Sequence, residues 1–172
     1  MEAGDNSAVM QRRTASIGTL VAALVALTCG TAHADAPAPE AGMACPAELA
    51  DTMTLLPDES TYVSCQQQSG GGYGWVPVQT PFEPNDSWLS YGPVINLHGQ
   101  GMRNPNLTSG NWTATPQAPD ATCRAEEQTV VEAGVLSAPQ IFEAEQGKPM
   151  AVPMLPKLFY LQLSGHCLWT KN

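Results

Sequence analysis

The sequence predicts a mainly β domain, similar to a β-sandwich, with one short N-terminal helix and two disulfides. Short runs of strand-forming residues alternate with turn residues from position 61 to the C terminus. The chain contains 15 prolines, which oppose long helices because proline lacks the backbone donor that a helix needs. Four of its five cysteines lie between positions 45 and 167, and an even number of cysteines is typical of a disulfide-bonded extracellular domain.

Residues 1–34 are predicted to be a signal peptide. Arg12 and Arg13 precede an apolar stretch at 17–27, which is shorter than the roughly 20 residues that cross a bilayer. The small residues Ala32 and Ala34 form a signal peptidase site, so the mature chain is expected to begin at Asp35. We therefore expect a secreted, extracellular protein with no membrane span, and association with the cell envelope remains an option.

Two alternative export routes are disfavoured by the local sequence. A lipoprotein acylated at Cys29 would require Leu three residues earlier, where this chain has Ala26. Twin-arginine export would require larger apolar residues where Ala15 and Ser16 stand. Ordinary export and release is the prediction.

The mature chain is expected to contain a disordered leader at 35–44 and a single β-rich domain at 45–172. The leader is predicted because it is rich in Pro and Ala. The segment Ala47–Leu55 is predicted to form a short helix, with Pro46 at its first turn. Glu48 and Asp51 stand near its positive end, and Pro57 ends it.

Eight strands are predicted after the helix, each bounded by turn residues. They are Thr61–Gln67, Tyr73–Gln79, Pro93–Leu97, Asn111–Thr115, Thr122–Val131, Met150–Leu155, Lys157–Leu163 and His166–Thr170. The clearest alternation is at 158–163, where Tyr160 and Gln162 share the face opposite the apolar side chains. Pro77 and Pro153 fall inside strands, which predicts edge positions or bulges there.

The four cysteines of the mature chain allow three disulfide pairings. We favour Cys45–Cys65, which would attach the helix to the first strand, and Cys123–Cys167, which would close the C-terminal strands across a long loop. A zinc site is the competing interpretation. It is disfavoured because the chain has no Cys-x-x-Cys spacing.

Three segments carry a resemblance to a known group of proteins. These are Gly-Asn-Trp-Thr-Ala-Thr at 110–115, Cys-Arg-Ala-Glu at 123–126 and Ser-Gly-His-Cys-Leu-Trp at 164–169. The pattern resembles small extracellular β modules of actinobacteria, and the whole chain is similar in style to uncharacterised secreted proteins of mycobacteria. The resemblance implies a disulfide-containing extracellular β module and supplies no catalytic residues.

The net charge of −9 disfavours a nucleic-acid partner or an anionic membrane surface. The basic residues beyond the signal peptide are scattered along the chain, at Arg103, Arg124, Lys148, Lys157 and Lys171. The sequence contains no Gly-x-Ser-x-Gly, no His-Glu-x-x-His, no phosphate-binding Gly loop and no redox cysteine pair. No cofactor, metal or catalytic residue is therefore predicted.

A group of aromatic residues in the middle of the chain is the candidate ligand-binding site. Its members are Tyr73, Trp75, Trp88, Tyr91 and His98. Aromatic rings presented by flexible glycine-rich and proline-rich loops suit stacking on sugars or contact with a protein. The alternative is that Trp75 and Trp88 fill the core of a chain that has only three Phe residues.

These observations predict a secreted, non-enzymatic binding or interaction module of the cell envelope or extracellular space. Its partner would be a protein or glycan of the envelope, and the module is expected to be a monomer. A small hydrolase acting on envelope material, with His98 and a loop acid as catalysts, is the alternative. A third possibility is a structural envelope component without a ligand, in which both Trp75 and Trp88 would be buried.

Overall fold

The structure is a computed structural model that describes residues 37–172. A 3-10 helix at Ala47–Leu49 is followed by strands. The strands are β1 (Met53–Leu55), β2 (Tyr62–Gln67), β3 (Tyr73–Val78), β4 (Ser87–His98), β5 (Gly110–Pro116), β6 (Arg124–Glu132), β7 (Val135–Leu136), β8 (Gln140–Glu143), β9 (Met150–Met154) and β10 (Leu158–Lys171). The predicted signal peptide at 1–34, its Cys29 and the first two leader residues lie outside the described residues.

The predicted mainly β character is confirmed, whereas the predicted helix at Ala47–Leu55 is wrong beyond its first turn. The 3-10 helix is three residues long, and Asp51 then adopts a left-handed conformation with φ of 63°. The rest of the segment is β1, which pairs with β2 through Met53 opposite Ser64. All three residues of β1 are buried, which an amphipathic helix on the surface would not allow. Pairing with β2 therefore overrides the local helical preference.

The strands form a mixed sheet in the order β3-β2-β1-β4-β10-β5-β9. Its neighbours are antiparallel except β1 and β4, which are parallel. Pro77 lies in β3 and Pro153 in β9, the two outermost strands of this path. The predicted edge positions of both prolines are thus confirmed, because an edge strand tolerates the missing donor.

The long pair β4–β10 is the centre of the sheet. Its register runs from Trp88 opposite Trp169 to His98 opposite Tyr160. On its other edge β10 changes partner along its length. Residues 158–164 pair with β6, whereas residues 167–171 pair with β5. β6 also pairs with β7 and β8, so a second group of strands branches from the first half of β10.

Two glycines allow the β4–β10 pair to change direction between these two halves. The register shifts between Leu163 and Gly165, opposite Ile95 and Gly92. Gly92 has φ of 128° and Gly165 φ of 84°, a region that side chains with a Cβ rarely adopt. A Cβ on Gly165 would lie 2.0 Å from the carbonyl oxygen of Thr122. The predicted strands at 157–163 and 166–170 are therefore one strand, which crosses a register shift where β4 has one residue more than β10.

Three tryptophans with no exposed surface lie in the main core: Trp88, Trp112 and Trp169. Each indole N–H has an acceptor. Trp88 donates to the carbonyl of Asn85, Trp112 to the carbonyl of Thr108, and Trp169 to the Ser90 hydroxyl at 2.9 Å. A buried donor left without an acceptor would cost roughly 1–3 kcal/mol, so these bonds permit complete burial of the rings.

Both favoured disulfides are confirmed. Cys45–Cys65 joins the segment before the 3-10 helix to β2, and Cys123–Cys167 joins the residue before β6 to β10. The sequence separations are 20 and 44 residues. In the chain-entropy description, closures of this size stabilise the fold by about 3–4 kcal/mol each.

The end of the predicted leader is part of the folded domain. The backbone N–H of Gly42 donates to the carbonyl of Trp75 at 2.7 Å, and Trp75 donates back to Met43 at 2.8 Å. Ala44 forms a β-bridge with Gly74. The expectation of disorder at 35–44 is therefore corrected for this part, because the segment pairs with the outer edge of β3.

No helix in residues 37–172 is long and apolar enough to cross a bilayer.

Candidate functional site

Three members of the predicted aromatic site are buried in the core. The exposed fraction is 4% for Trp75, 0% for Trp88 and 3% for Tyr91. The Tyr91 hydroxyl donates to the carbonyl of Leu55 at 2.8 Å, and burial raises the pKa of this tyrosine. A ring without an exposed face cannot stack on a ligand. The prediction that these three residues bind a ligand is therefore corrected. Trp75 and Trp88 instead fill the core, as the alternative interpretation predicted.

The two remaining members, Tyr73 and His98, lie in different places. Tyr73 begins β3 and lines a shallow cavity of about 320 Å³ together with Gly74 and Pro77. His98 ends β4 and lines two other cavities. The structure thus separates the residues that the sequence grouped, and His98 lies at cavities of about 490 and 400 Å³.

The first of these cavities, of about 490 Å³, has a floor made by three adjacent strands. The floor consists of two cross-strand rows of polar and aromatic side chains from β4, β10 and β6. One row is His98, Tyr160 and Gln128, and the other is Asn96, Gln162 and Glu126. Residues directly opposite in neighbouring strands place their side chains on the same face, so the six form one continuous surface.

Strand alternation explains why this surface is polar. The intervening row, Leu97, Leu161 and Glu127, is buried on the opposite face of the same strands. The predicted placement of Tyr160 and Gln162 on one face of their strand is confirmed. Asn96, Gln128 and Glu126 were not recognised, because their alternation could be read within each strand but the register between strands could not.

A turn before β2 forms the wall of this cavity. Leu55, Glu59 and Tyr62 line the wall. Asp58 holds the turn because its Oδ1 accepts the backbone N–H groups of Ser60 and Thr61. The hydroxyl of Thr61 and these backbone donors lower the pKa of Asp58 to about 2. The wall is therefore held in place by a carboxylate that stays ionised.

Hydrogen bonds within the floor fix its side chains. The Nε2 of Gln162 donates to the Oδ1 of Asn96 at 3.1 Å, and Arg124 pairs with Glu126 at 2.8 Å. Each amide uses one polar atom in its bond, and no other residue of 37–172 hydrogen-bonds to the second. The Tyr160 ring is 40% exposed. Its centroid lies 5.1 Å from the centroid of the Phe159 ring and 5.9 Å from that of the His98 ring. The floor thus combines fixed amides with an exposed aromatic ring.

A second cavity, of about 400 Å³, shares Tyr62 and His98 with the first. We refer to the two together as the groove. The other residues that line the second cavity are Thr80, Pro81, Phe82, Met102, Arg103, Asn104 and Asn106. The ring of Phe82 packs edge-on against Tyr62 at 5.0 Å. This second half is therefore part apolar and part amide, with one guanidinium.

The loop after β4, which carries four of the nine residues that line the second cavity, is tied firmly to the sheet. Asn106 is 5% exposed, and its Oδ1 accepts the backbone N–H of His98 at 2.7 Å. The backbone N–H of Asn106 donates to the carbonyl of His98 at 2.8 Å, and Gly101 donates to Leu158 at 2.6 Å. A Cβ on Gly99 would lie 2.5 Å from the Leu158 side chain, so the loop can approach β10 only with glycine there.

His98 has no catalytic partner in this arrangement. Glu59 and Glu126 line the same cavity, but no hydrogen bond joins the imidazole to a carboxylate or a hydroxyl anywhere in the described chain. No group of three metal-ligating side chains is present in residues 37–172.

The chain was compared with models of protein families, with curated proteins and with solved structures, and none of the three comparisons gives a match. The resemblance to secreted actinobacterial modules therefore stays a prediction. Function has to be argued from the groove itself.

Proposed function

We propose that this protein is a secreted binding module of the cell envelope or extracellular space, and that the groove binds carbohydrate. The observation that carries the proposal is the floor of two cross-strand rows, in which three amide side chains surround an exposed tyrosine. The cavity above it, at about 490 Å³, lies within the roughly 300–1,000 Å³ typical of small-molecule sites.

Amides and an aromatic ring are complementary to a sugar. Each hydroxyl of a sugar both donates and accepts hydrogen bonds, and Asn and Gln side chains offer a donor and an acceptor in a fixed geometry. The apolar C–H face of a pyranose ring packs against an aromatic ring, and the exposed ring of Tyr160 lines the groove. Asn96 and Gln162 already hold each other in place, so binding would not have to order them.

The proposed architecture is a two-layer β-sandwich. Its support is the partner change along β10, where residues 158–164 join β6 and residues 167–171 join β5 on either side of a glycine bulge. Such a bend allows one strand pair to belong to two packed layers. In this arrangement the groove lies on the outer face of the layer that contains β6.

Secretion and release are part of the proposal. Two disulfides support an oxidising compartment. Intact-mass measurement of the protein recovered from the medium of its producing cells tests this point. We expect the mass of residues 35–172 less four hydrogens, and an acylated species beginning at Cys29 would contradict release.

Binding is tested on an array of neutral and acidic oligosaccharides and on insoluble cell-wall material, followed by calorimetry on any sugar that binds. Tyr160→Ala and Gln162→Ala should each weaken binding about tenfold or more, because each removes contacts worth roughly 1–2 kcal/mol. Tyr73→Ala and Gln67→Ala are the matched controls, since they remove the same groups outside the groove. Equal binding by all four variants would overturn the proposal.

A small hydrolase acting on envelope material is the second candidate. The observation that favours it is that His98, Glu59 and Glu126 line one cavity. Release of reducing ends from any sugar that binds, abolished by Glu59→Gln or Glu126→Gln without loss of binding, would establish hydrolysis. Binding without release would leave the module non-enzymatic.

A further inference from the structure

The two halves of the groove differ in charge. The first half is lined by the carboxylates Glu59 and Glu126, and the second by the guanidinium of Arg103. His98 and Tyr62 lie between them because they line both cavities. A ligand that spans the groove would therefore meet negative charge at one end and positive charge at the other.

Arg103 is unpaired in a chain that is rich in carboxylates. Arg124, Lys148 and Lys171 each form an ion pair with an acidic residue. Arg103 and Lys157 form none with any residue of the described chain, and Arg103 is the one of these two that lines the groove. An exposed arginine beside a cavity keeps its five donors for another molecule.

The loop that carries Arg103 is fixed before any ligand arrives. Asn106 bonds through both its side chain and its backbone to His98, and Gly101 bonds to Leu158. Asn104, next to Arg103, adopts a left-handed conformation with φ of 52°. A fixed loop reduces the entropy that binding would otherwise cost, so the position of Arg103 relative to the groove is set by the fold.

We infer that the Arg103 half of the groove binds the carboxylate of an acidic sugar, with the neutral part of the same glycan lying over Tyr160. This inference rests on the proposed carbohydrate function and specifies its ligand as a glycan that contains a uronic acid or a similar carboxylate. A guanidinium binds a carboxylate through two parallel hydrogen bonds, and Asn104 and Thr80 line the same cavity as further hydrogen-bonding groups.

Charge also fixes the direction in which the glycan lies. A carboxylate over the first half would face Glu59 and Glu126. Glu126 is paired with Arg124 at 2.8 Å, so the repulsion comes mainly from Glu59. Placed in the second half, the same group is attracted by Arg103. The ligand therefore runs from a neutral sugar above the floor to an acidic sugar beside the loop.

The test uses oligosaccharides in matched pairs that differ in the carboxylate alone. Oligomers of galacturonate, of mannuronate and of a glucuronate-containing glycan are each compared with their carboxyl-reduced forms by calorimetry. The wild-type protein should bind at least one acidic form about tenfold or more tightly than its reduced form, with an affinity that falls as salt rises. Arg103→Gln should remove this preference, because the guanidinium that distinguishes the two forms is then absent.

Lys148→Gln is the matched control, because it removes the same charge from a loop that lines neither cavity. It should retain the preference for the acidic form. If the wild-type protein binds both forms equally, or if Arg103→Gln weakens both forms to the same extent, the carboxylate site is overturned. Tyr160-dependent binding of neutral sugars would in that case still support the proposed function. Absence of binding to every sugar in either form would overturn both.

Discussion

Glu127 lies directly opposite Leu161 in the β6–β10 pair, on the core side of the strands whose other side is the groove floor. Its side chain is 1% exposed, and neither carboxyl oxygen has a hydrogen-bond partner within residues 37–172. Leu161 and Gln140, its two cross-strand neighbours, carry no charge. Burial raises the pKa of Glu127 to about 7.

This carboxyl should make the free energy of unfolding depend on pH. A carboxyl with a raised pKa in the folded state favours folding while it is protonated, and this contribution is lost as the pH rises through the folded-state pKa. The loss should extend from the ordinary value of 4.5 to about pH 7 and amount to roughly 3 kcal/mol. Urea unfolding of wild-type protein and Glu127→Gln at several pH values between 4 and 8 measures it.

Glu127→Gln should remove most of this pH dependence, because an amide does not ionise. Glu126→Gln, one residue away with its side chain in the groove, is the matched control and should keep the slope of the wild-type protein. If the Glu127→Gln protein loses stability between pH 5 and 7 as steeply as the wild-type protein, the buried carboxyl does not cause the effect.

Gly165→Ala should destabilise the fold severely. The residue has φ of 84°, and a Cβ there would lie 2.0 Å from the carbonyl oxygen of Thr122. The backbone must move to relieve this overlap, so we expect a loss of about 3 kcal/mol or more in denaturant unfolding. Gly134→Ala is the control: it has φ of 78° but open space around its Cβ position, and should lose about 1 kcal/mol. Equal losses would mean that dihedral strain alone matters.

Most of the strands could be predicted from the sequence, because alternation and turn residues are local signals. The strands at 62–67, 73–78 and 110–116 agree with the expectation within one or two residues. β1 could not be predicted, because its three residues are held by pairing with β2 and β4 rather than by their own pattern. The predicted strand at Pro93–Leu97 covers only the second half of β4, which begins at Ser87, because the first half reads as part of a proline-rich loop.

The candidate site could be predicted only in part. His98 was recognised, and Tyr160 and Gln162 were placed on one face, but nothing in the sequence shows that β6 pairs with β10. The register that brings Glu126 beside Gln162 is a long-range feature. Trp88 and Tyr91 were assigned to a loop because composition does not distinguish an exposed aromatic ring from one covered by a distant strand.

Removal of the Cys123–Cys167 disulfide should cost more stability than removal of Cys45–Cys65. The first closes 44 residues and the second 20, a difference worth about 0.6–0.7 kcal/mol in the chain-entropy description. Cys123–Cys167 also holds β10 near the bulge at Gly165. Paired Cys→Ala variants, compared by thermal and denaturant unfolding, measure the difference. A larger loss on removal of Cys45–Cys65 would contradict this order.

Trp88→Phe and Tyr160→Ala should separate the core from the groove. Trp88 has no exposed surface and packs against Tyr62, so its truncation should lower the free energy of unfolding by about 2 kcal/mol through a cavity and a lost indole hydrogen bond. It should leave sugar affinity within about twofold of the wild-type value. Tyr160→Ala should do the reverse, with sugar affinity falling about tenfold or more while stability changes by less than about 1 kcal/mol. If the Trp88→Phe protein is fully folded but binds sugar more weakly, Trp88 belongs to the binding site, and its assignment to the core from burial is contradicted.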